Sequence, residues 1–150
     1  MGIENRSLIF DNLLVYETSQ LKADWQEPYF MMEDFILAEE IYKNGPVFFS
    51  VAPVENEEKF GHFTYFLPIN APVLLEDNQD FYFQSKLGIE EALCLRQADQ
   101  ELDFYAAYQK VKEYAVAHSI EIAETFYCVL LDVYGEMIID LYVPIKEWRE

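Results

Sequence analysis

A chain of 150 residues carrying 28 acidic and 10 basic side chains, net charge −18, has room for one domain or for two small halves sharing a core. Hydrophobic residues make up 52% and aromatics 17%, which excludes the apolar poverty that keeps acidic chains disordered. The charge divides almost evenly, −8 over residues 1–75 and −10 over 76–150. It therefore belongs to a globular surface, whose field argues against nucleic acid and membrane partners and leaves cations and basic proteins.

No apolar run approaches the ~20 residues of a spanning helix. Met1 to Ser7 carries Glu4 and Arg6 and leads into Leu8-Ile9-Phe10 without a basic start or a small-residue cleavage site, so a cytoplasmic location is expected. Cys94 and Cys128 lie in apolar, strand-like settings with no Cys-x-x-Cys and no paired His, and read as buried thiols.

In chain order, Asn12 to Gln20 reads as a first strand and Pro28 to Asn44 as a helix. Met31, Phe35, Ala38 and Tyr42 recur at helical spacing, and Gly45-Pro46 supplies a stop. Val47 to Val54 and His62 to Asn70 are aromatic and β-branched runs around the polar loop Glu55 to Gly61, which predicts a hairpin. Strands follow over Phe81 to Lys86 and Glu90 to Gln97, then a helix from about Gln100 to His118 with Asp99 as its N-cap and Phe104, Tyr108, Val111, Ala115 and His118 as its stripe. Thr125 to Val133, a Tyr134-Gly135 turn and Glu136 to Lys146 make a final hairpin.

The halves resemble each other in residues as well as in order. Phe48-Phe49-Ser50-Val51 parallels Phe126-Tyr127-Cys128-Val129, and Phe66-Leu67-Pro68-Ile69 parallels Tyr142-Val143-Pro144-Ile145. A first repeat is expected over about 8–70 and a second over about 80–147, within one domain of 1–150. Proline cannot donate to a ladder, so both last strands are expected to leave the sheet, or become an edge, at Pro68 and Pro144.

A duplicated strand-helix-strand-strand unit ending in Ile139-Asp140-Leu141-Tyr142-Val143-Pro144-Ile145 resembles the GyrI-like group, which includes the effector-binding domains of AraC-type and multidrug-sensing regulators and stand-alone bacterial proteins. The resemblance implies an α+β fold: duplicated units forming a curved antiparallel sheet, with two main helices on one face and a pocket for small, often cationic or aromatic molecules. Where that group enters its second helix through a His-x-Gly-Pro-Tyr-like turn, this chain has Arg96-Gln97-Ala98-Asp99, so that rim of the pocket differs. The effector-type domain is expected to use the whole chain and leave no DNA-reading segment, as in the stand-alone branch.

Strict alternation places Ile139, Leu141 and Val143 on one face of the last strand and Ile138, Asp140, Tyr142 and Pro144 on the other. The odd-numbered face suits the helices. A carboxylate between Ile138 and Tyr142 is partly desolvated unless something positive or hydrogen-bonding sits over it; the alternative is an acid pointing to solvent from an open sheet face. The resemblance implies that Asp140 lines the pocket and meets a ligand's positive end. Thr64 and Phe66 hold the equivalent positions in the first half, and Phe49, Phe66, Tyr127 and Tyr142 would offer ring faces, although most of the 25 aromatics must be core. Trp25 and Tyr29 are weaker candidates.

His62 and His118 stand in no recognisable ligand or general-base spacing, and the five glycines are scattered, so no metal, nucleotide or other cofactor is expected. The leading expectation is a non-enzymatic small-molecule binding domain. Two alternatives remain open: an adaptor whose acidic surface binds a basic protein, and a hydrolase of electrophilic natural products, which the resemblance implies for some members. An exposed edge at either proline-bearing strand would allow a homo-oligomer.

Overall fold

The computed structural model describes residues 3–21, 26–38, 40–54, 57–72, 81–97, 104–133 and 136–148. The expected N-cap Asp99, the Tyr134-Gly135 turn and Trp25 lie outside them. Elements run β1 (Glu4–Leu21), α1 (Gln26–Ala38), β2 (Phe48–Val54), β3 (Glu57–Pro68), β4 (Phe81–Gln97), α2 (Phe104–Ala117), β5 (Ile120–Ile122), β6 (Phe126–Val133) and β7 (Glu136–Trp148). The fold is α+β, its registered strand pairs are antiparallel, and two helices are present among the described residues. Two compact units divide it: a first comprising Ile9–Leu87 and a second comprising Met1–Leu8 with Gly88–Glu150. β1 and β4 each contribute to both.

In the first unit β3 lies between β1 and β2, with Tyr16 opposite Tyr65 and Phe49 also opposite Tyr65. Antiparallel partners share a face. Tyr16, Phe49, Phe63 and Tyr65 therefore point one way, and Phe49, Phe63 and Tyr65 are fully buried there with ring centroids 5.2–5.9 Å apart. α1 covers this face: Phe81 at the start of β4 stacks on Phe35 of the helix at 4.2 Å and meets Tyr16 at 5.5 Å.

The buried side of α1 is Met32 and Ile36, with Pro28 at its first turn. Of the expected stripe only Phe35 points inward; Met31, Ala38 and Tyr42 are exposed. The helix also stops at Ala38 instead of running to Asn44. Glu40 takes a left-handed φ of 54°, and the amide of Ile41 reaches back to the carbonyl of Ile36 at 3.0 Å, the longer of the two bonds that close a Schellman cap. Residues 42–44 then turn to the end of β3, where Asn44 donates to the Pro68 carbonyl at 2.8 Å and Asn70 donates to that of Tyr42 at 3.1 Å. Gly45 is the close passage beside Pro68, whose ring carbons a Cβ would approach to 3.2 Å.

In the second unit β7 lies between β4 and β6 and also pairs with β5. Ile139, Leu141 and Val143 are fully buried, as the alternation predicts. α2 packs on this face through Ala107, Val111 and Ala115, all buried, and Tyr108 stacks on Phe126 at 4.7 Å while donating its hydroxyl to the Ala123 carbonyl at 3.1 Å. Ser119, at φ 56°, follows the helix as its left-handed cap and leaves the expected stripe member His118 exposed.

Two strand expectations need correction. β4 runs unbroken through Gly88, and the division between the units falls within it. β3 ends at Pro68 as expected, but β7 continues through Pro144 to Trp148. Proline lacks only the donor: the Pro144 carbonyl still accepts from Ala123 at 2.9 Å, and the short strand β5 carries the pairing onward with a bulge between Glu121 and Ile122.

If Leu141 anchors the α2 face, Leu141→Ala costs about 2–5 kcal/mol in urea unfolding, whereas Val116→Ala, on the exposed side of α2, stays within about 0.5 kcal/mol. Equal losses for the two would contradict this packing.

Candidate functional site

On the face of β7 turned away from α2, Asp140 has Arg96 of β4 and Val129 of β6 directly opposite, and Tyr142 has Cys94 and Tyr127 opposite. Alternation along three neighbouring strands thus gathers one acid, one guanidinium, two phenols and a thiol. The carboxylate is taken whole: Arg96 donates from Nε to Oδ1 at 2.7 Å and from Nη2 to Oδ2 at 3.0 Å. The partners differ sharply in solvation, the Asp140 side chain being 6% exposed and that of Arg96 56%. A buried carboxylate is satisfied by a cation whose outer side lies in water. The paired acid raises the pKa of Arg96 above its usual value, through the hydrogen bonds first and its charge second.

Burial also raises the pKa of Tyr142, with the Cys94 and Asp140 charges adding to the effect; its hydroxyl interacts with Cys94 and with Arg6 from the β1 segment of the same unit. Arg6 in turn pairs with Glu4 through Nε at 2.7 Å. Tyr127 is half-buried, and desolvation raises its pKa as well. The Cys94 thiol is pushed up to about 11, chiefly by burial and then by the Asp140 charge, and burial alone raises the fully buried Cys128 well above the usual thiol range. Both cysteines are free thiols.

In the first unit the corresponding face carries Thr64 and Phe66. Glu17 and Ser50 stand opposite Thr64, and Val15 and Phe48 stand opposite Phe66. Phe66 stacks on Phe48 at 4.8 Å, and Phe48 on Phe10 at the same distance. Phe49 does not join them. Its register partner is Tyr65, so its ring belongs to the α1 face, and Phe48 is the aromatic that shares a face with Phe66 and Thr64. Asp140, Tyr142 and Tyr127 are thus brought together in the second unit, Thr64 and Phe66 in the first.

His62 lies beside Ser19, with Nδ1 and Oγ 3.2 Å apart, and beside Glu17 at 3.9 Å, all on the exposed end of β1 and β3. Nδ1 of His118 is 2.9 Å from the Tyr114 carbonyl. Among the described residues no three His, Cys, Asp or Glu side chains converge as a metal would require. Among the described residues no helix is long and apolar enough to cross a membrane.

The residue that sequence reasoning missed is Arg96. It was legible only as a change at the rim, because its role depends on the β4–β7 register; the available signal was Leu93 and Leu95 alternating with Cys94 and Arg96, a strand whose second face carries one cation.

No family model and no curated protein matches the chain. Solved structures do match over nearly its whole length. The EcmrR C-terminal domain superposes with a TM-score of 0.71 at 12% identity, covering 98% of this chain and 99% of that one. SAV2435 bound to tetraphenylphosphonium gives 0.55 at 11% identity, with 97% and 94% covered. A hydrolase encoded by lin2189 from Listeria innocua gives 0.56 at 6% identity, with 95% and 92% covered. At these identities the likeness is one of fold.

Two outcomes follow from the site's solvation. Arg96→Gln leaves a buried carboxylate without its cation and is expected to cost about 1–2 kcal/mol, discounted for the exposed partner, while Asp140→Asn leaves Arg96 in water and costs less. A larger loss for Asp140→Asn in chemical unfolding would contradict the asymmetry. With its thiol pushed up to about 11, Cys94 is about one part in a thousand thiolate at pH 8, so a disulfide reagent titrates no fast thiol until the protein unfolds, when two appear. A fast-reacting thiol in the native protein would contradict the burial.

Proposed function

We propose, from the premise that the chain has the GyrI-like effector-binding fold, that it is a small-molecule binding domain whose recognition face is built on Asp140, Tyr142 and Tyr127. The observation that carries this reading is a carboxylate buried at the middle of β7, on the face away from α2, two residues along the strand from the Tyr142–Tyr127 pair. Burying a charge in mid-sheet is costly, and a fold stabilised by its apolar face alone would place a hydrophobic residue there. The ligand class it fits is an aromatic or lipophilic cation: the carboxylate meets the charge, and the two tyrosines offer ring faces. SAV2435, with the same fold, is seen with one such cation, tetraphenylphosphonium.

Thr64 and Phe66 form a neutral counterpart in the first unit, so charge recognition is one-sided. Two buried free thiols suit a reducing compartment, in keeping with a cytoplasmic protein. A hydrolytic role draws less support, since the register neighbours of Asp140 are Arg96 and Val129 and supply no partner base. The adaptor reading rests on the −18 charge alone.

Thermal unfolding with increasing tetraphenylphosphonium tests the proposal. The wild-type Tm is expected to rise with ligand, and Asp140→Asn to weaken binding about ten- to a hundredfold, the worth of an interaction with a buried charge. An equal response in the two proteins contradicts it.

A further inference from the structure

Asp140 and Arg96 form a pair in which only one member is fixed. Asp140 is held at mid-strand, between β4 and β6, with its side chain almost wholly buried. Arg96 stands one residue before the end of β4, more than half exposed, on a stem of freely rotating bonds. Turning the guanidinium away from Asp140 sends it into water that already solvates its outer side, beside a protein of net charge −18. Moving the carboxylate would require moving the strand.

From this asymmetry we infer that Arg96 is a specificity-determining residue, an internal cation that occupies Asp140 and that a ligand's own positive group must displace. The inference rests on the binding face proposed above and names what selects among its ligands. A guanidinium held by two parallel charge-assisted hydrogen bonds is a demanding competitor. The apparent affinity of any cation is lowered by the fraction of molecules in which Arg96 has left Asp140. A neutral molecule resting on the Tyr142 and Tyr127 rings makes no demand on Asp140 and does not require Arg96 to leave it. Arg96 thereby filters the face against weakly bound cations while leaving neutral aromatics unaffected.

Calorimetric titration of the intact protein with tetraphenylphosphonium and with its neutral relative triphenylphosphine oxide tests this, using wild type, Arg96→Gln, Arg96→Lys and the double variant Arg96→Gln/Asp140→Asn. Arg96→Gln is expected to bind the cation about ten- to a hundredfold more tightly than wild type, the double variant to lose that gain, and the oxide to bind alike in all. Arg96→Lys, a point charge without the fork, falls between wild type and Arg96→Gln and provides a folded comparison if the glutamine variant is unstable. Equal cation binding by wild type, Arg96→Lys and Arg96→Gln would overturn the inference and leave the binding reading standing. Weaker binding by Arg96→Gln would also overturn it, by making Arg96 itself a ligand contact. Failure of every variant to bind either compound would bring down the binding reading and this inference together.

Discussion

Two hydrogen bonds between Arg96 and Asp140 reconcile β7 with its surroundings. The strand is buried on both faces at its centre: Ile139, Leu141 and Val143 against α2, and Asp140 and Tyr142 on the other side. An unpaired carboxylate in that position costs about 1–2 kcal/mol even with the discount for a solvated partner, a sizeable share of what holds a small domain folded. The pairing of β4 with β7 must therefore set residue 96 opposite residue 140. A slip of one position would offer Leu95 or Gln97 instead and turn Asp140 toward an aliphatic neighbour or an amide. The ion pair thus reinforces the register that the buried apolar face of β7 already favours.

The same constraint separates the two units. Each sets a helix on one face of its antiparallel strands and leaves a mixed polar and aromatic set on the other. In the first unit the buried polar groups on the face away from the helix are hydroxyls, Ser50 and Thr64, and Glu17 opposite Thr64 is solvated. A hydroxyl can be buried with a single partner, whereas a carboxylate needs a cation. Ion pairing therefore enters the second unit's face, at Asp140.

Much of this was legible from spacing. The β2–β3 and β6–β7 hairpins and the helix-facing side of β7 follow from period-two and period-3.6 patterns, and alternation picked out Asp140 because an acid between Ile138 and Tyr142 breaks an otherwise apolar strand. Periodicity assigns a residue to a face of its own element, but it does not say what lies across the ladder. Phe49 was drawn to the Phe66 side although register sets it opposite Tyr65, and Arg96 was read as rim because its partner lies 44 residues away. α1 shows a further limit: Met31, Ala38 and Tyr42 keep helical spacing, but the helix ends at Ala38 and packs through Met32 and Ile36, which a shift of one position in the stripe would have identified. Pro144 shows that a missing donor does not end a strand whose carbonyls still have partners.

The central claim, that Arg96 occupies Asp140 in the free protein, has a direct observable in the Arg96 side chain. In nitrogen-15 spectra of the unliganded protein its Nε–H is predicted to resonate downfield, to exchange slowly with water and to show a coupling through the hydrogen bond to the Asp140 carboxylate carbon. An Nε–H that exchanges as fast as those of solvated arginines, with no coupling to Asp140, would contradict the account.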